Sequence, residues 1–322
     1  MEFKQIEAFV NVIKYKSFSK AADASFLTQP TISTHISTLE KELGVTLIDR
    51  LGKESRPTKE GRAFYKYAIS LINTREKAIM EVGRRGSEFS GIIDLRASSI
   101  PGEYIVPELM TGFRKVFPQV RFYMEQSDSE TVWDSIMEND GELGFTGGYK
   151  NNGLRYDLLF KDPMMLITPK NEKFLKLREE SQYISKEDFL EESFVWREEG
   201  SATRSTFEDL VYTGKGKRPG IIATVNSLES IKRCVAGGLG VSVLSQIAVK
   251  KDINANYLAF KLADLNIERE FYMVTNKNIT LSPTATKFRE FVLNPVSYTH
   301  LRFCISLFAY NNRKLDFCCR CY

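Results

Sequence analysis

Small polar side chains dominate one short segment, residues 28–38, which reads T-Q-P-T-I-S-T-H-I-S-T. Its hydroxyl, amide and imidazole groups donate or accept hydrogen bonds, and a surface helix of this composition makes poor core. Such groups pair with base edges in a DNA groove, and Gln in particular pairs with adenine. The candidate base contacts are Gln29, Thr31, Ser33, Thr34, His35 and Thr38. Some of these side chains must instead face the rest of their own domain.

Cationic side chains follow this segment at Arg50, Lys53 and Arg56. The run 46–58 is typical of two short strands joined at a tight turn, which places the three cations on a wing that meets phosphate or the minor groove. Residues 1–90 hold 15 Lys and Arg against 11 Asp and Glu, whereas residues 91–294 hold 26 against 29. The basic excess therefore lies with the candidate DNA-binding segment. A winged helix that mediates protein contacts is the alternative.

A second set of hydroxyl groups lies where strands are predicted to meet helices. Ser98 and Ser99 end one strand, Thr146 ends another, and Ser201 and Thr203 flank a helix start after Gly200. Hydroxyl groups and free backbone N–H groups at helix N-termini bind anions without a full positive charge. These residues predict a cleft for a small anionic effector, such as a carboxylate metabolite or an oxyanion. The alternative is that they serve only as caps and turn residues.

Arg204 and Arg233 are candidate sources of charge for this cleft, although an arginine in a helix is usually solvated or ion-paired. Trp196 lies beside the same segment, and we expect it to pack in the core.

Enzyme motifs are missing from the sequence. There is no phosphate-binding G-x-x-x-x-G-K-S/T, no G-x-S-x-G and no C-x-x-C pair, and the chain holds 2 His. We therefore predict no catalytic residue, no metal site and no cofactor other than the effector. Cys234 is the one cysteine before residue 300, which suits a reducing compartment. The start is no signal peptide and no run of about 18 apolar residues exists, so we expect a cytoplasmic protein with no membrane partner.

The helices that must position the candidate base contacts can be predicted from the sequence. Apolar spacing predicts a helix over residues 2–16, and a second helix is predicted from a Ser19 cap through Phe26. Thr28 is expected to cap the third helix, which Gly44 ends. Its apolar residues fall on one stripe, at Ile32, Ile36, Leu39 and Leu43.

A long helical pattern follows from Lys59 to about Val82 and predicts either packing within its own domain or a linker and dimerisation helix. Residues 83–91 resemble a hinge. Strand and helix patterns then alternate to about residue 294, which indicates an α/β sheet architecture, and two small lobes fit this length better than one sheet.

With these elements in place, the chain resembles the LysR-type transcriptional regulators. The match is ungapped over S-F-S-K-A-A at 17–22 and T-Q-P-T-I-S at 28–33, and it continues through Arg50 and Thr58 to Gly61. Ile48 stands where the family usually has Phe, and Lys59 where a small residue is common. Further runs match at 97–107, 141–147, 197–204 and 226–244.

The resemblance implies an α+β multidomain protein with an N-terminal winged helix-turn-helix, a long linker helix and a two-lobed α/β effector domain similar to type 2 periplasmic binding proteins. We expect the DNA-binding domain at 1–58, the linker helix and hinge at 59–90, and the effector domain at 91–294. Within the latter, lobe I covers about 91–162 and 267–294, and lobe II about 163–266. The sequence V-S-Y-T-H-L-R near the start of residues 295–322 looks like translated sequencing-adapter read-through, so we interpret these residues as a non-native tail.

The function implied is sequence-specific regulation of transcription, controlled by an effector between the lobes. Its partners are double-stranded operator DNA, a second copy of the chain in a homodimer or homotetramer, and RNA polymerase. The competing hypothesis is a ligand-binding or enzymatic α/β domain with an accessory winged helix.

Overall fold

A computed structural model describes residues 1–49, 54–82, 89–211, 220–249, 256–263 and 267–294. Arg50, Lys53, the hinge residues 83–88 and the predicted tail at 295–322 lie outside these ranges. Within them, no helix has the length and apolar character needed to cross a membrane.

Three short helices form the N-terminal domain: α1 at Phe3–Tyr15, α2 at Phe18–Ser25 and α3 at Gln29–Leu43. The Thr28 hydroxyl accepts a hydrogen bond from the Thr31 N–H at 3.4 Å, and Gly44 ends α3 at φ +70°, as predicted. The predicted cap of α2 is wrong by two residues. Ser17 caps it, because its hydroxyl accepts from the Lys20 N–H, while the Ser19 hydroxyl donates to Gln29 Oε1 at 3.0 Å.

The predicted apolar stripe of α3 packs into the core of this domain. Ile32, Ile36 and Leu39 are fully buried, and burying each such side chain contributes roughly 1.5–3 kcal/mol. Leu43 lies at the helix end and is 38% exposed, so the stripe is one residue shorter than predicted. With this stripe buried, the polar side chains of α3 point outward.

The wing consists of β1 at Ile48–Asp49 and β2 at Arg56–Pro57, which pair antiparallel. Helix α4 follows at Lys59–Val82, the bounds that the sequence predicted. Gly61 lets α4 approach the base of the wing, since a Cβ at this position would lie 2.0 Å from the Leu47 carbonyl oxygen. The wing and α4 are therefore packed tightly against each other.

The first part of the C-terminal region alternates strands and helices as predicted. It consists of β3 at Gly91–Ser98, a π-helical turn at Pro101–Ile105, α5 at Val106–Val116, β4 at Val120–Ser127, α6 at Ser129–Glu138 and β5 at Leu143–Gly147. The π-helical turn changes to α5 just before Pro107, which lies in the first turn of α5.

The remaining elements complete two lobes. They are β6 at Arg155–Thr168, α7 at Glu172–Glu180, β7 at Tyr183–Ile184, α8 at Lys186–Phe189, β8 at Ser193–Arg197, α9 at Ala202–Val211, β9 at Gly220–Val225, α10 at Leu228–Ala236, β10 at Ser242–Ser245, α11 at Gln246–Val249, β11 at Leu258–Leu262, β12 at Glu268–Thr275 and α12 at Pro283–Leu293. Sequence patterning missed α7, β7, α8, α11, β11 and β12.

The long strand β6 belongs to both lobes. Its first part, Arg155–Pro163, pairs antiparallel with β12 in the sheet ordered β4-β3-β5-β12-β6, which is lobe I. Its second part, Met164–Thr168, pairs with β10 on one side and β11 on the other, in lobe II. The parallel pair β8-β9 joins lobe II, where the Val195 N–H donates to the Val241 carbonyl at 2.8 Å. The α+β multidomain architecture with a two-lobed α/β domain is thus confirmed.

Helix α4 contacts lobe I as well as the N-terminal domain. The Asn73 amide donates to the Thr280 carbonyl at 2.6 Å, and the Thr280 N–H donates to the Ser70 hydroxyl at 3.2 Å. Lys14 of α1 lies 3.7 Å from the Asp94 carboxylate of β3. These polar contacts join the helical domain to lobe I.

Candidate functional site

The outer side of α3 forms a shallow polar groove, which we call the reading face. It is lined by Pro30, Ser33, Thr34, Ser37, Thr38 and Lys41. Spacings of three and four residues place these side chains along one side of a helix. Because this side is opposite to the buried stripe, the whole face is open to a partner.

Three predicted base contacts lie on the reading face, namely Ser33, Thr34 and Thr38. The Thr34 hydroxyl donates to the Pro30 carbonyl at 2.9 Å, so its lone pairs still face outward. Ser37 and Lys41 also line the groove although they were not among the predicted contacts. Their spacing of three and seven residues from Thr34 is the sequence signal that could have identified them.

The other three predicted base contacts lie beside this groove. Gln29 is exposed at the start of α3 and accepts the Ser19 hydroxyl, whereas Thr31 is half-buried and its hydroxyl lies 2.8 Å from that of Thr28. His35 is half-buried. Of the predicted wing cations, only Arg56 is described, and its side chain is 76% exposed.

A small enclosed space lies between the lobes, and we call it the interlobe pocket. It is lined by Ser98, Ser99, Ile100, Asp128, Ser129, Arg197, Glu198, Ser201 and Arg269. Its volume is about 10 Å³, which is room for about one water molecule.

Of the five predicted effector contacts, Ser98, Ser99 and Ser201 line the pocket. Thr203 does not line the pocket, but its hydroxyl accepts a hydrogen bond from Arg269, which does. Thr146 is not brought to the pocket: its hydroxyl accepts from the Trp133 indole N–H at 3.2 Å and donates to the Gly148 carbonyl. This geometry agrees with packing of Trp133 against β5.

Two buried arginines supply the charge of the pocket, and the sequence prediction named neither. Arg197 ends β8 and is 4% exposed, while Arg269 lies on β12 and is 3% exposed. Burial and the nearby positive charge of Arg197 lower the pKa of Arg269 to about 9, so the Arg269 side chain still carries a positive charge at neutral pH. The pocket therefore has a positive charge that the predicted hydroxyl groups alone did not provide.

Two residues of the pocket lining also hold unpartnered polar atoms. Among the described residues, the Ser98 hydroxyl and Arg269 Nε are buried and find no hydrogen-bond partner. A buried polar group without a partner costs on the order of 1–3 kcal/mol.

The acidic residues of the lining have other partners. Glu198 binds Arg197, and Asp128 accepts hydrogen bonds from the N–H of Thr131 at 3.0 Å and from its hydroxyl, as the N-cap of α6. Burial raises the pKa of Asp128, but these hydrogen bonds outweigh that effect and the net shift is downward. Asp128 is thus an ionised residue that stabilises the start of α6.

The two helical arginines considered from sequence do not supply the pocket. Arg204 pairs with Glu208 at 2.9 Å, and Arg233 is exposed on α10. Trp196 is buried against Phe194 and Phe207, so it packs in the core as expected. Among the described residues, no group of three or more His, Cys, Asp or Glu side chains has the arrangement of a metal site.

The fold and these two sites define a class, a regulator with a helical DNA-reading domain and a two-lobed ligand domain. Residues 3–62 match the family model for bacterial regulatory helix-turn-helix proteins of the lysR family, and residues 86–295 match the LysR substrate binding domain. The chain belongs to the LysR-type transcriptional regulators, which confirms the resemblance drawn from residues 17–61. It is a DNA-binding transcriptional regulator with an effector-binding domain.

Individual relatives agree with this assignment. The transcriptional regulator CysL of Bacillus subtilis is 32% identical over 254 residues, which cover 79% of this chain and 83% of CysL. A full-length OxyR variant from Pseudomonas aeruginosa superposes with a TM-score of 0.74 at 20% identity, covering 93% of this chain and 95% of that one. The effector-binding domain of QuiR in complex with shikimate has a TM-score of 0.59 at 20% identity, covering 66% and 99%. The families are of transcriptional regulators and not of enzymes, so the enzymatic alternative is not supported.

Proposed function

We propose that a small anion bound between Arg197 and Arg269 controls DNA binding by this regulator. The observation that carries the proposal is the pair of buried guanidinium groups beside the unpartnered Ser98 hydroxyl. Guanidinium groups bind carboxylate and phosphate through paired hydrogen bonds. The shikimate that occupies the QuiR domain is a carboxylate, which is in keeping with this chemistry.

The effector must rearrange the pocket in order to enter it. The lobes are joined across it by hydrogen bonds from Arg197 to the Ser99 hydroxyl, at 3.1 Å, and from Arg269 to the Thr203 hydroxyl. An anion that binds these arginines replaces the two bonds with its own. A ligand shifts a conformational equilibrium only through its different affinities for the two states, and the two interlobe bonds provide that difference.

Binding of small anions by the full-length chain tests the effector proposal. Thermal unfolding is measured with carboxylates, sulfate and phosphate at constant ionic strength, and we expect at least one of them to raise the unfolding temperature. Arg269→Ala should abolish this effect, and Ser99→Ala and Thr203→Ala should weaken it. Arg233→Ala is the matched control, because Arg233 is exposed on α10 and does not line the pocket. An unchanged affinity in Arg269→Ala would show that the pocket is not the effector site.

On the DNA side, we propose that the reading face enters the major groove and that the wing contacts phosphate. Gln29, Thr31 and His35 border the groove that Ser33, Thr34, Ser37, Thr38 and Lys41 line, so together they present hydrogen-bonding groups to base edges. Arg50 and Lys53 join Arg56 on the phosphate side in this proposal. We also propose that the domains end at residues 58, 90 and 294. Within the effector domain, the chain would pass between the lobes near residues 162 and 266.

The salt dependence of operator binding tests the wing. Each lost phosphate contact lowers the slope of log K against log salt by about 1. We expect this decrease for Arg56→Ala, and no decrease for Lys176→Ala, whose exposed side chain lies on α7 in the effector domain. Equal slopes for wild type and Arg56→Ala would remove Arg56 from the phosphate contacts.

The assembly and its location complete the proposal. A homodimer or homotetramer would read an operator with two half-sites on one face of the DNA, and RNA polymerase would be the partner at the promoter. The cytoplasm is the compartment in which such a regulator meets its operator.

A further inference from the structure

Glu198 holds Arg197 in the geometry by which proteins recognise carboxylate ligands. Arg197 Nε donates to Glu198 Oε2 at 2.8 Å, and the Nη2 group donates to Oε1 at 2.8 Å. Two parallel hydrogen bonds of this kind form a bidentate pair, the strongest arrangement between these groups. A side chain of the protein thus occupies the hydrogen-bonding edge of Arg197 that an anionic ligand would use.

The position of Glu198 would allow its carboxylate to move away from Arg197. Its side chain is 23% exposed, whereas that of Arg197 is 4% exposed. Glu198 follows the last residue of β8 and precedes Gly200, whose φ is +82°, so it lies on a short connection to α9 and not within a strand. The carboxylate therefore lies between the buried guanidinium group and solvent.

The charge of the pocket explains why such a carboxylate is needed. Arg197 and Arg269 are close enough for the charge of Arg197 to lower the pKa of Arg269. Two buried like charges destabilise a fold unless an opposite charge offsets them. Asp162 supplies an opposite charge to Arg269, and its carboxylate accepts hydrogen bonds from the Ser245 hydroxyl and the Ile247 N–H. Asp128 lines the pocket, but its carboxylate is engaged at the start of α6, so Glu198 is the carboxylate that pairs with Arg197.

We propose that Glu198 is a built-in competitor of the effector: its carboxylate neutralises Arg197 until an anion displaces it. This inference rests on the proposed function, and it adds that Glu198 sets the effector concentration at which the regulator responds. Displacing Glu198 also frees the guanidinium group that donates to Ser99 of lobe I. Replacement of the Glu198 carboxylate by the effector is therefore linked to the hydrogen bond from Arg197 to Ser99, which joins the lobes.

Sulfate binding to full-length Glu198→Gln tests the inference, with Glu199→Gln as the control. Glutamine keeps the shape of the side chain and removes the competing charge. Glu199 is the next residue, its side chain is 91% exposed, and its nearest cation is Arg204 at 3.8 Å, so Glu199→Gln removes the same charge outside the pocket. Affinity is measured by isothermal titration with sulfate at constant ionic strength, with phosphate in a parallel series.

We expect Glu198→Gln to bind sulfate at least about tenfold more tightly than wild type, a change that corresponds to about 1.4 kcal/mol. Glu199→Gln should bind as wild type does. Without sulfate, Glu198→Gln should unfold at a lower temperature than wild type, because the buried Arg197 loses its paired carboxylate. Saturating sulfate should reverse that loss.

Other outcomes overturn the inference in distinguishable ways. Equal sulfate affinity in wild type and Glu198→Gln would refute the competitor and leave the anion-binding proposal intact. Weaker binding by Glu198→Gln would show that Glu198 only maintains the shape of the pocket. If neither anion binds to any variant, both the competitor and the anionic effector are refuted.

Discussion

Arg269 occupies a position that costs free energy unless a ligand compensates for it. The side chain is buried, its Nε has no partner among the described residues, and another cation lies nearby. In many proteins such a group is retained for binding and not for stability. The consequences for stability and for binding can be separated by substitution.

Replacing Arg269 with Met should preserve folding and abolish the anion response. Met has a similar length and no charge, so Arg269→Met should be at least as stable as wild type in a buffer without binding anions. Urea unfolding with and without sulfate checks this, and Arg233→Met, at an exposed position on α10, is the control. A loss of more than about 3 kcal/mol without sulfate would mark Arg269 as a structural residue instead.

Glu142 makes a pH-dependent contribution near the contact between lobe I and the helical domain. Burial raises its pKa from the ordinary value of 4.5, and nearby Asp94 raises it further, although the Ser282 N–H that donates to it at 2.9 Å acts in the opposite direction. Above pH 4.5 the Glu142 carboxyl group is therefore protonated to a greater extent in the folded state than in the unfolded state. The free energy of unfolding consequently falls as the pH rises through this window.

We expect Glu142→Gln to remove this part of the pH dependence. The difference in free energy of unfolding between variant and wild type should shift in favour of the variant from pH 4.5 towards pH 7. Urea unfolding across this range measures it, with the exposed Glu180→Gln as the control. A difference that does not change with pH would contradict the raised pKa.

At the scale of elements, one carboxylate fixes the wing against α3. Glu40 Oε1 accepts hydrogen bonds from the N–H groups of Leu47 at 2.7 Å and Ile48 at 3.2 Å. These bonds join the end of the reading helix to β1. The angle between the reading face and the wing therefore depends on Glu40.

Glu40→Ala should destabilise the helical domain by about 1–3 kcal/mol, because two part-buried N–H groups lose their acceptor. Operator affinity should fall as well, since the wing is no longer held in place. Unfolding and fluorescence anisotropy with operator DNA measure the two effects. Glu42→Ala is the control, because Glu42 forms an exposed pair with the N-terminus. Wild-type DNA affinity in Glu40→Ala would show that the wing is positioned by other contacts.

Local signals explain how much of these elements could be predicted. Helix α3 begins after Thr28 and ends at Gly44 because a capping hydroxyl and a left-handed residue are properties of the sequence itself. Helix α4 was predicted with the same bounds from the long helical pattern of its apolar residues. Strand β12 was missed because its segment E-R-E-F-Y-M-V-T begins with three charged residues that are typical of a surface.

The same limit applies to the effector pocket. Ser98, Ser99 and Ser201 were identified because strand–helix junctions are visible in sequence. Arg269 becomes buried only through the pairing of β12 with β6, and Arg197 only through contact between the lobes. Tertiary contacts of this kind leave no periodic signal in a single sequence.

For the molecule as a whole, α4 is one physical connection between the helical domain and lobe I, beside the contact of Lys14 with Asp94. The Asn73 amide and the Ser70 hydroxyl both bind the backbone of Thr280, which precedes α12 of lobe I. A change in the lobes that moves Thr280 therefore acts directly on α4, which packs against the helical domain that carries the reading face. Coupling between two binding sites is typically 1–3 kcal/mol, or about 5–150-fold in affinity.

Asn73→Ala should reduce this coupling without changing the affinity of either site alone. The measurement compares operator affinity with and without sulfate at matched ionic strength, for wild type and variant. We expect the ratio of the two affinities to approach 1 in Asn73→Ala. Asn11→Ala is the control, since Asn11 binds Ser25 within the helical domain. An unchanged ratio would place the coupling elsewhere.

The enclosed interlobe pocket also has a consequence for the speed of the response. At a volume of about 10 Å³ the pocket has no room for a metabolite, so in the proposed mechanism the effector binds after the lobes separate. The observed association rate should then rise with effector concentration only until it reaches the rate of opening. Above that concentration, the time that the regulator needs to bind its effector depends on the rate at which the lobes separate and no longer on the effector concentration.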